Sequence, residues 1–127
     1  MITIKAGEVQ HIMEAGKTLF DKPMDADISY RFAKLLVALQ PELEAFEMAR
    51  LNLCVKYAEK DDNGKAKKDD NGHFMIADPA AFGKAFKALT DASVCVNFSP
   101  VKLSDLKDQG IQLRPVDLAK LAKLIMD

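Results

Sequence analysis

From Phe32 to Leu53 the chain carries an apolar stripe at helical spacing: Phe32, Leu36, Leu39, Leu43, Phe46 and Leu53, widened by Leu35 and interrupted at Arg50. Steps of three and four place these residues on one face of an α-helix of about 30 residues. The spacing predicts a start at Asp25 or Asp27, either of which can act as N-cap. Pro41 lies inside the stretch and predicts a kink, since it removes one backbone donor. In a chain of 127 residues, a helix of that length outruns what one small domain can cover. The stripe therefore predicts helix pairing or an oligomer.

The flanking segments predict an α+β architecture. Ile2 and Ile4 alternate with Thr3 and Lys5, as in a short strand. Val9, Ile12, Met13 and Leu19 follow at helical spacing, and Pro23 closes that helix. Asp78-Pro79 opens another helix, with Phe82, Phe86 and Leu89 on one face. Ser93 to Ser99 alternates cleanly between Val94, Val96, Phe98 and Cys95, Asn97, Ser99. Val101 to Gln112 reads as a loop with strand-like pieces, broken by Gly110, and Arg114-Pro115 opens a terminal helix through Ile125. The expected fold is a long kinked helix and a helix pair, with a small antiparallel sheet in the C-terminal half. One domain spans 1–127, with 1–60 as the helical, oligomerising part and 61–127 holding hairpin, helix, strands and terminal helix.

Two copies of Asp-Asp-Asn-Gly stand eight residues apart, at 61–64 and 69–72. A calcium loop needs alternating oxygen ligands and a later bidentate Glu; neither copy has that Glu, and three lysines stand between the copies. Asn-Gly instead predicts turns, the first ending the long helix and the second joining two strand-like runs.

Function classes fall away in turn. A net charge of −1 argues against a nucleic-acid polymer as partner. Cys54 and Cys95 sit among apolar neighbours without metal-ligand spacing to His11 or His73, and read as buried reduced thiols. No metal, cofactor or catalytic set is expected, and the chain is read as a non-enzyme. MITIKAGEVQ is not signal-like and no run reaches membrane-spanning length, so the expected location is the cytoplasm, without membrane attachment.

Of 18 cationic residues only Arg31, Arg50 and Arg114 are arginines, the side chain best suited to planar anions. Arg114 precedes a helix start, where free amides already carry positive charge, and so marks an anion site. With Asn97 on the polar side of its strand, Asp108 before Arg114 and an aromatic nearby, the C-terminal third has the ingredients of nucleotide recognition.

These segments resemble the first-described Thoeris anti-defence family of phage proteins. The resemblance runs through DISYRFAKLL, AFGKAF, VCVNF and LKDQGIQLR, with 17 residues from Asn97 to Arg114 and six from Asp108 to Arg114. It implies a cytoplasmic protein of the infected bacterial host that sequesters cyclic ADP-ribose isomers without cleaving them. Some members also capture the cyclic oligonucleotides of CBASS immunity, and assemble as dimers and hexamers. Carried across, Arg31 and Arg114 hold phosphates, Phe86 stacks on a base (with Phe82 or Phe98 as substitutes), and Asn97 and Asp108 contact base or ribose. The chain is also similar to short phage and prophage proteins with the SYRFAKLL…FEMAR style of helix, which imply no function. The competing class is a phage virion or tail-assembly protein acting through protein contacts alone.

Overall fold

The computed structural model describes residues Met1–Asp127. In chain order the elements are β1 (Ile2–Lys5), α1 (Ala6–Phe20), α2 (Ala26–Tyr57), α3 (Pro79–Thr90), β2 (Ser93–Val96), β3 (Val101–Lys102), α4 (Leu103–Asp108), α5 (Pro115–Lys120) and β4 (Ile125–Met126). The architecture is α+β, five helices with two small sheets. No helix is long and apolar enough to cross a membrane.

The sheets differ from the antiparallel C-terminal sheet expected. β1 pairs antiparallel with β2, Ile2 opposite Val96 and Ile4 opposite Val94, so one strand comes from the N-terminus. β3 and β4 pair in parallel, Val101 opposite Ile125. That pairing also ends the terminal helix early. Leu121 and Leu124 are buried as a helix would bury them, but the chain leaves α5 after Lys120 and turns to place Ile125 beside Val101. Leu103–Asp108, read as loop, forms α4 and buries Leu106.

A core of 18 buried residues runs from Ile2 to Leu124 and includes both β1 and β2. α1 contributes Val9, Ile12, Ala15 and Leu19. Within α1, Gly16 makes room for the Phe20 ring: a Cβ there would stand 2.1 Å from it. α2 is one continuous helix of 32 residues with Pro41 inside it. Pro41 lies on the solvent side, together with Val37, whose carbonyl loses its helical donor. Asp25 precedes α2 without capping it by its side chain. Instead its amide donates to Gln109 Oε1 (2.8 Å) and its carboxylate accepts from Gln109 Nε2 (2.7 Å).

The buried side of α2 is covered by the chain itself, which removes the stripe as a reason for self-association. Phe32 packs between Phe20 (ring centroids 5.3 Å apart) and Phe98 (5.8 Å), and Leu35 and Leu39 enter the core. Further along, α3 lies against α2: Phe86 meets Phe46 and Phe82 meets Tyr57, each at 6.3 Å. On the outward side Tyr30, Val37, Met48, Leu51 and Val55 remain exposed.

Between α2 and α3 the duplicated tetrads form a turn module. α2 ends at Tyr57, ahead of the first tetrad, and Lys60 Nζ donates to the Val55 carbonyl there. Asp61 Oδ1 accepts from the amides of Asn63 and Lys65, and Asp69 Oδ1 from those of Asn71 and His73. Gly64 (φ +78°) and Gly72 (φ +80°) take the left-handed conformation each turn requires. The eight-residue spacing then closes a ring of three bonds: Glu59 N–H to Met75 O, Lys67 N–H to Glu59 O, and Met75 N–H to Lys67 O. Bridges Lys60–Ala66, Lys68–Phe74 and Ala58–Ile76 repeat the same three-fold pattern.

Candidate functional site

The first turns of α2 carry Arg31 and Lys34, three residues apart and so on neighbouring positions of one helix flank. This flank faces the segment joining β2 to β3. There Pro100 interrupts strand pairing, and the carbonyls of Ser99 and Pro100 need another donor. Arg31 Nη2 supplies it, donating to the Ser99 carbonyl and, at 2.9 Å, to the Pro100 carbonyl. The guanidinium carbon lies 5.9 Å from the Phe98 ring centroid. Only one nitrogen is used in this anchoring, so Nε and Nη1 keep their N–H groups for a ligand.

Arg31, Lys34, Asn97, Phe98 and Ser99 enclose a polar cavity of about 240 Å³. Asn97 reaches it from the end of β2, 66 residues from Arg31 in sequence. Lys34 Nζ also sits 5.5 Å from the Tyr30 ring centroid, and Tyr30 is 66% exposed. Phe98 cannot stack on a ligand, being 4% exposed and packed against Phe32. The exposed aromatic beside the cavity is therefore Tyr30. On the other side of Arg31, a second cavity of about 210 Å³ is lined by Asp25, Asp27, Asp105, Asp108 and Gln109. Four carboxylates there repel a phosphate and suit hydroxyl or amine donors.

Of the five residues nominated from sequence, Arg31, Asn97 and Asp108 gather at the start of α2, with Asp108 across Arg31 from Asn97. Two lie elsewhere. Phe86 packs in an aromatic cluster, stacked on Phe82 (5.8 Å) and against Phe46. Arg114 is spent on Asp117: Nε donates to Oδ2 (2.9 Å) and Nη2 to Oδ1 (3.2 Å). The cation ahead of α5 thus has a local reason that the sequence reading denied it, and the anion it serves belongs to the chain. The hydrogen bond and charge of Asp117 raise the Arg114 pKa further, and the Arg114 hydrogen bond holds the Asp117 carboxyl below its ordinary value.

Sequence reasoning missed Lys34 and Tyr30. The signal was present in SYRFAKLL, where Tyr30–Lys34 and Arg31–Lys34 stand at helical neighbour spacings. Two cations and an amide around one cavity suit an anion bearing hydrogen-bond acceptors. Its walls include no histidine, cysteine or carboxylate. The thiols lie elsewhere: Cys54 is buried as expected, whereas Cys95 is exposed on the outer face of β2. Neither a family model, nor a curated protein, nor a solved structure matches this chain.

Proposed function

We propose that the chain is a binding protein for a small phosphate-bearing ligand, which it holds at Arg31, Lys34 and Asn97 without chemical change. The observation carrying this reading is that the fold brings Asn97 to the Arg31–Lys34 flank of α2 around one polar cavity. The free N–H groups of the Arg31 guanidinium and the Lys34 ammonium match a phosphate, and the amide matches a ribose hydroxyl or base edge. The cavity is smaller than the roughly 300 Å³ at which drug-sized ligand pockets begin. It accepts a phosphate with its ribose, leaving the base outside, against Tyr30. The resemblance supplies the ligand class: a cyclic nucleotide immune signal, cyclic ADP-ribose isomers or cyclic oligonucleotides, sequestered in an infected bacterium. A second reading, an assembly protein, draws support from the apolar outward face of α2.

Calorimetry with cyclic ADP-ribose isomers, cyclic di- and trinucleotides and inorganic phosphate tests the proposal. Arg31 also anchors backbone, so Lys34→Ala is the cleaner variant and is expected to weaken binding about 10-fold, roughly 1.4 kcal/mol. Arg114→Ala is expected to bind like the wild type. Bound ligand released by heating is expected intact by mass spectrometry. No binding to any of these compounds, or equal binding by Lys34→Ala, overturns the site.

A further inference from the structure

Of the four asparagines, Asn52 and Asn97 are followed by Leu53 and Phe98, whereas Asn63 and Asn71 are followed by Gly64 and Gly72. Glycine has no side chain to shield its backbone nitrogen, so in Asn-Gly that nitrogen reaches the asparagine side-chain carbonyl most readily. Both pairs are exposed in the turn module, and a Cβ built on either glycine meets nothing within 4 Å. Space and water for a reaction are present. The attacking nitrogen, however, is engaged. Gly64 N–H donates to the Asp61 carbonyl at 3.0 Å, and Asp61 Oδ1 accepts from the flanking Asn63 and Lys65 amides at 2.9 Å each. Three consecutive amides thus hang on one aspartate, and Asp69 holds those of Asn71, Gly72 and His73 in the same way. We propose that Asn63 and Asn71 are modification sites that deamidate to isoaspartate, each at a rate set by the grip of Asp61 or Asp69 on its turn.

The reaction needs only water. The Gly64 nitrogen loses its proton to hydroxide and bonds to Asn63 Cγ, and the side-chain nitrogen leaves as ammonia, closing a five-membered succinimide. Water then opens the ring at either carbonyl, giving aspartate or, with the main chain rerouted through Cβ, isoaspartate. Each event consumes one water, releases one ammonia and adds one negative charge. A donated proton is harder to remove, and the nitrogen must leave the Asp61 carbonyl before it can turn to Asn63 Cγ. The reaction therefore passes through an opened turn, and its rate is the unfolded-chain rate multiplied by the open fraction. Isoaspartate lengthens the backbone by one atom, so Asp61 no longer spans the amides from Asn63 to Lys65. The ring joining Glu59, Lys67 and Met75, which the two tetrads close, is loosened for good. The module lies at the opposite end of α2 from the phosphate cavity and is modified whether or not that cavity binds a nucleotide.

Peptide mapping of the full chain, folded and unfolded in guanidinium chloride at the same mildly alkaline pH, tests this, with electron-transfer fragmentation to tell isoaspartate from aspartate. Asn63 and Asn71 are expected to deamidate at least about 10-fold more slowly in the folded chain, with isoaspartate as the larger product. Asp61→Ala, at an exposed position, should keep the wild-type circular dichroism. It should speed deamidation at Asn63 about 5-fold or more, through two lost hydrogen bonds, and leave Asn71 near the wild-type rate. Asp69→Ala should do the reverse, so each tetrad serves as the other's control. Asp61→Asn keeps an Oδ1 acceptor and should stay close to the wild type. Equal rates in the folded and unfolded chain, an Asn63 rate untouched by Asp61→Ala, or aspartate as the sole product would overturn the proposal.

Discussion

Asp117 is 4% exposed and is the one charged residue within the interior, so its charge has to be answered locally. Arg114 does this with two hydrogen bonds while keeping 75% of its own side chain exposed. Because Arg114 lowers the folded pKa of Asp117, the pair stabilises the fold at neutral pH and above. That contribution is lost as pH falls through the ordinary carboxylate range toward the depressed folded value. Asp69 acts in the same direction, its carboxylate held low by the His73 amide. Urea melts between about pH 3 and pH 7 should therefore show an acid limb, which both Asp117→Asn and Arg114→Ala flatten. An acid limb unchanged in Asp117→Asn would show that the pair does not contribute. The Arg-x-x-Asp spacing of RPVD was legible in the sequence. The partners of Arg31 were not, since Ser99 and Pro100 lie 68 and 69 residues away and offer backbone carbonyls, which no residue pattern marks.

Among the elements, the turn module shows what local chemistry can specify. Asn-Gly identified both segments as turns, because an aspartate accepting two amides and a glycine at positive φ are satisfied within five residues, though the first does not end α2 as read. The ring joining Glu59, Lys67 and Met75 was not legible, because it depends on three segments meeting around a centre. Placing a Cβ at Gly72 meets no neighbour, so Gly72→Ala tests backbone conformation alone. It should cost about 1–2 kcal/mol, the strain of a left-handed non-glycine residue. In hydrogen exchange, the Glu59, Lys67 and Met75 amides should then speed up together while those of β1 and β2 stay protected. Uncoupled exchange of the three would dissolve the ring as a unit. Calcium should leave the melting temperature unchanged, because Asp61 Oδ1 and Asp69 Oδ1 are already engaged by backbone amides. The tail of the chain shows the opposite limit. Leu118, Leu121 and Leu124 fit a helix by spacing, but a short helix, a turn and β4 bury Leu121 and Leu124 equally well.

At the scale of the molecule, α2 is a beam with two apolar sides, and that duality is what the linear pattern concealed. The stripe through Phe32, Leu39 and Phe46 was read as apolar surface waiting for a partner. It is core, because α1 covers its first half and the Phe82–Phe86 face of α3 covers its second. Helical periodicity finds a face but does not say which other segment of the same chain fills it. The side still exposed carries Val37, Met48, Leu51 and Val55, residues that the stripe left out. Two substitutions on one helix separate these roles. Leu39 is fully buried, so Leu39→Ala should leave a cavity and cost about 2–5 kcal/mol. The core joins Ile2 through Leu124 in one cluster, so the loss should appear as a shift of a single unfolding transition. Met48 is 73% exposed, so Met48→Ala should change monomer stability by no more than about 0.5 kcal/mol. Denaturant melts supply both numbers. If Met48→Ala costs as much as Leu39→Ala, the assignment of inward and outward sides of α2 is wrong.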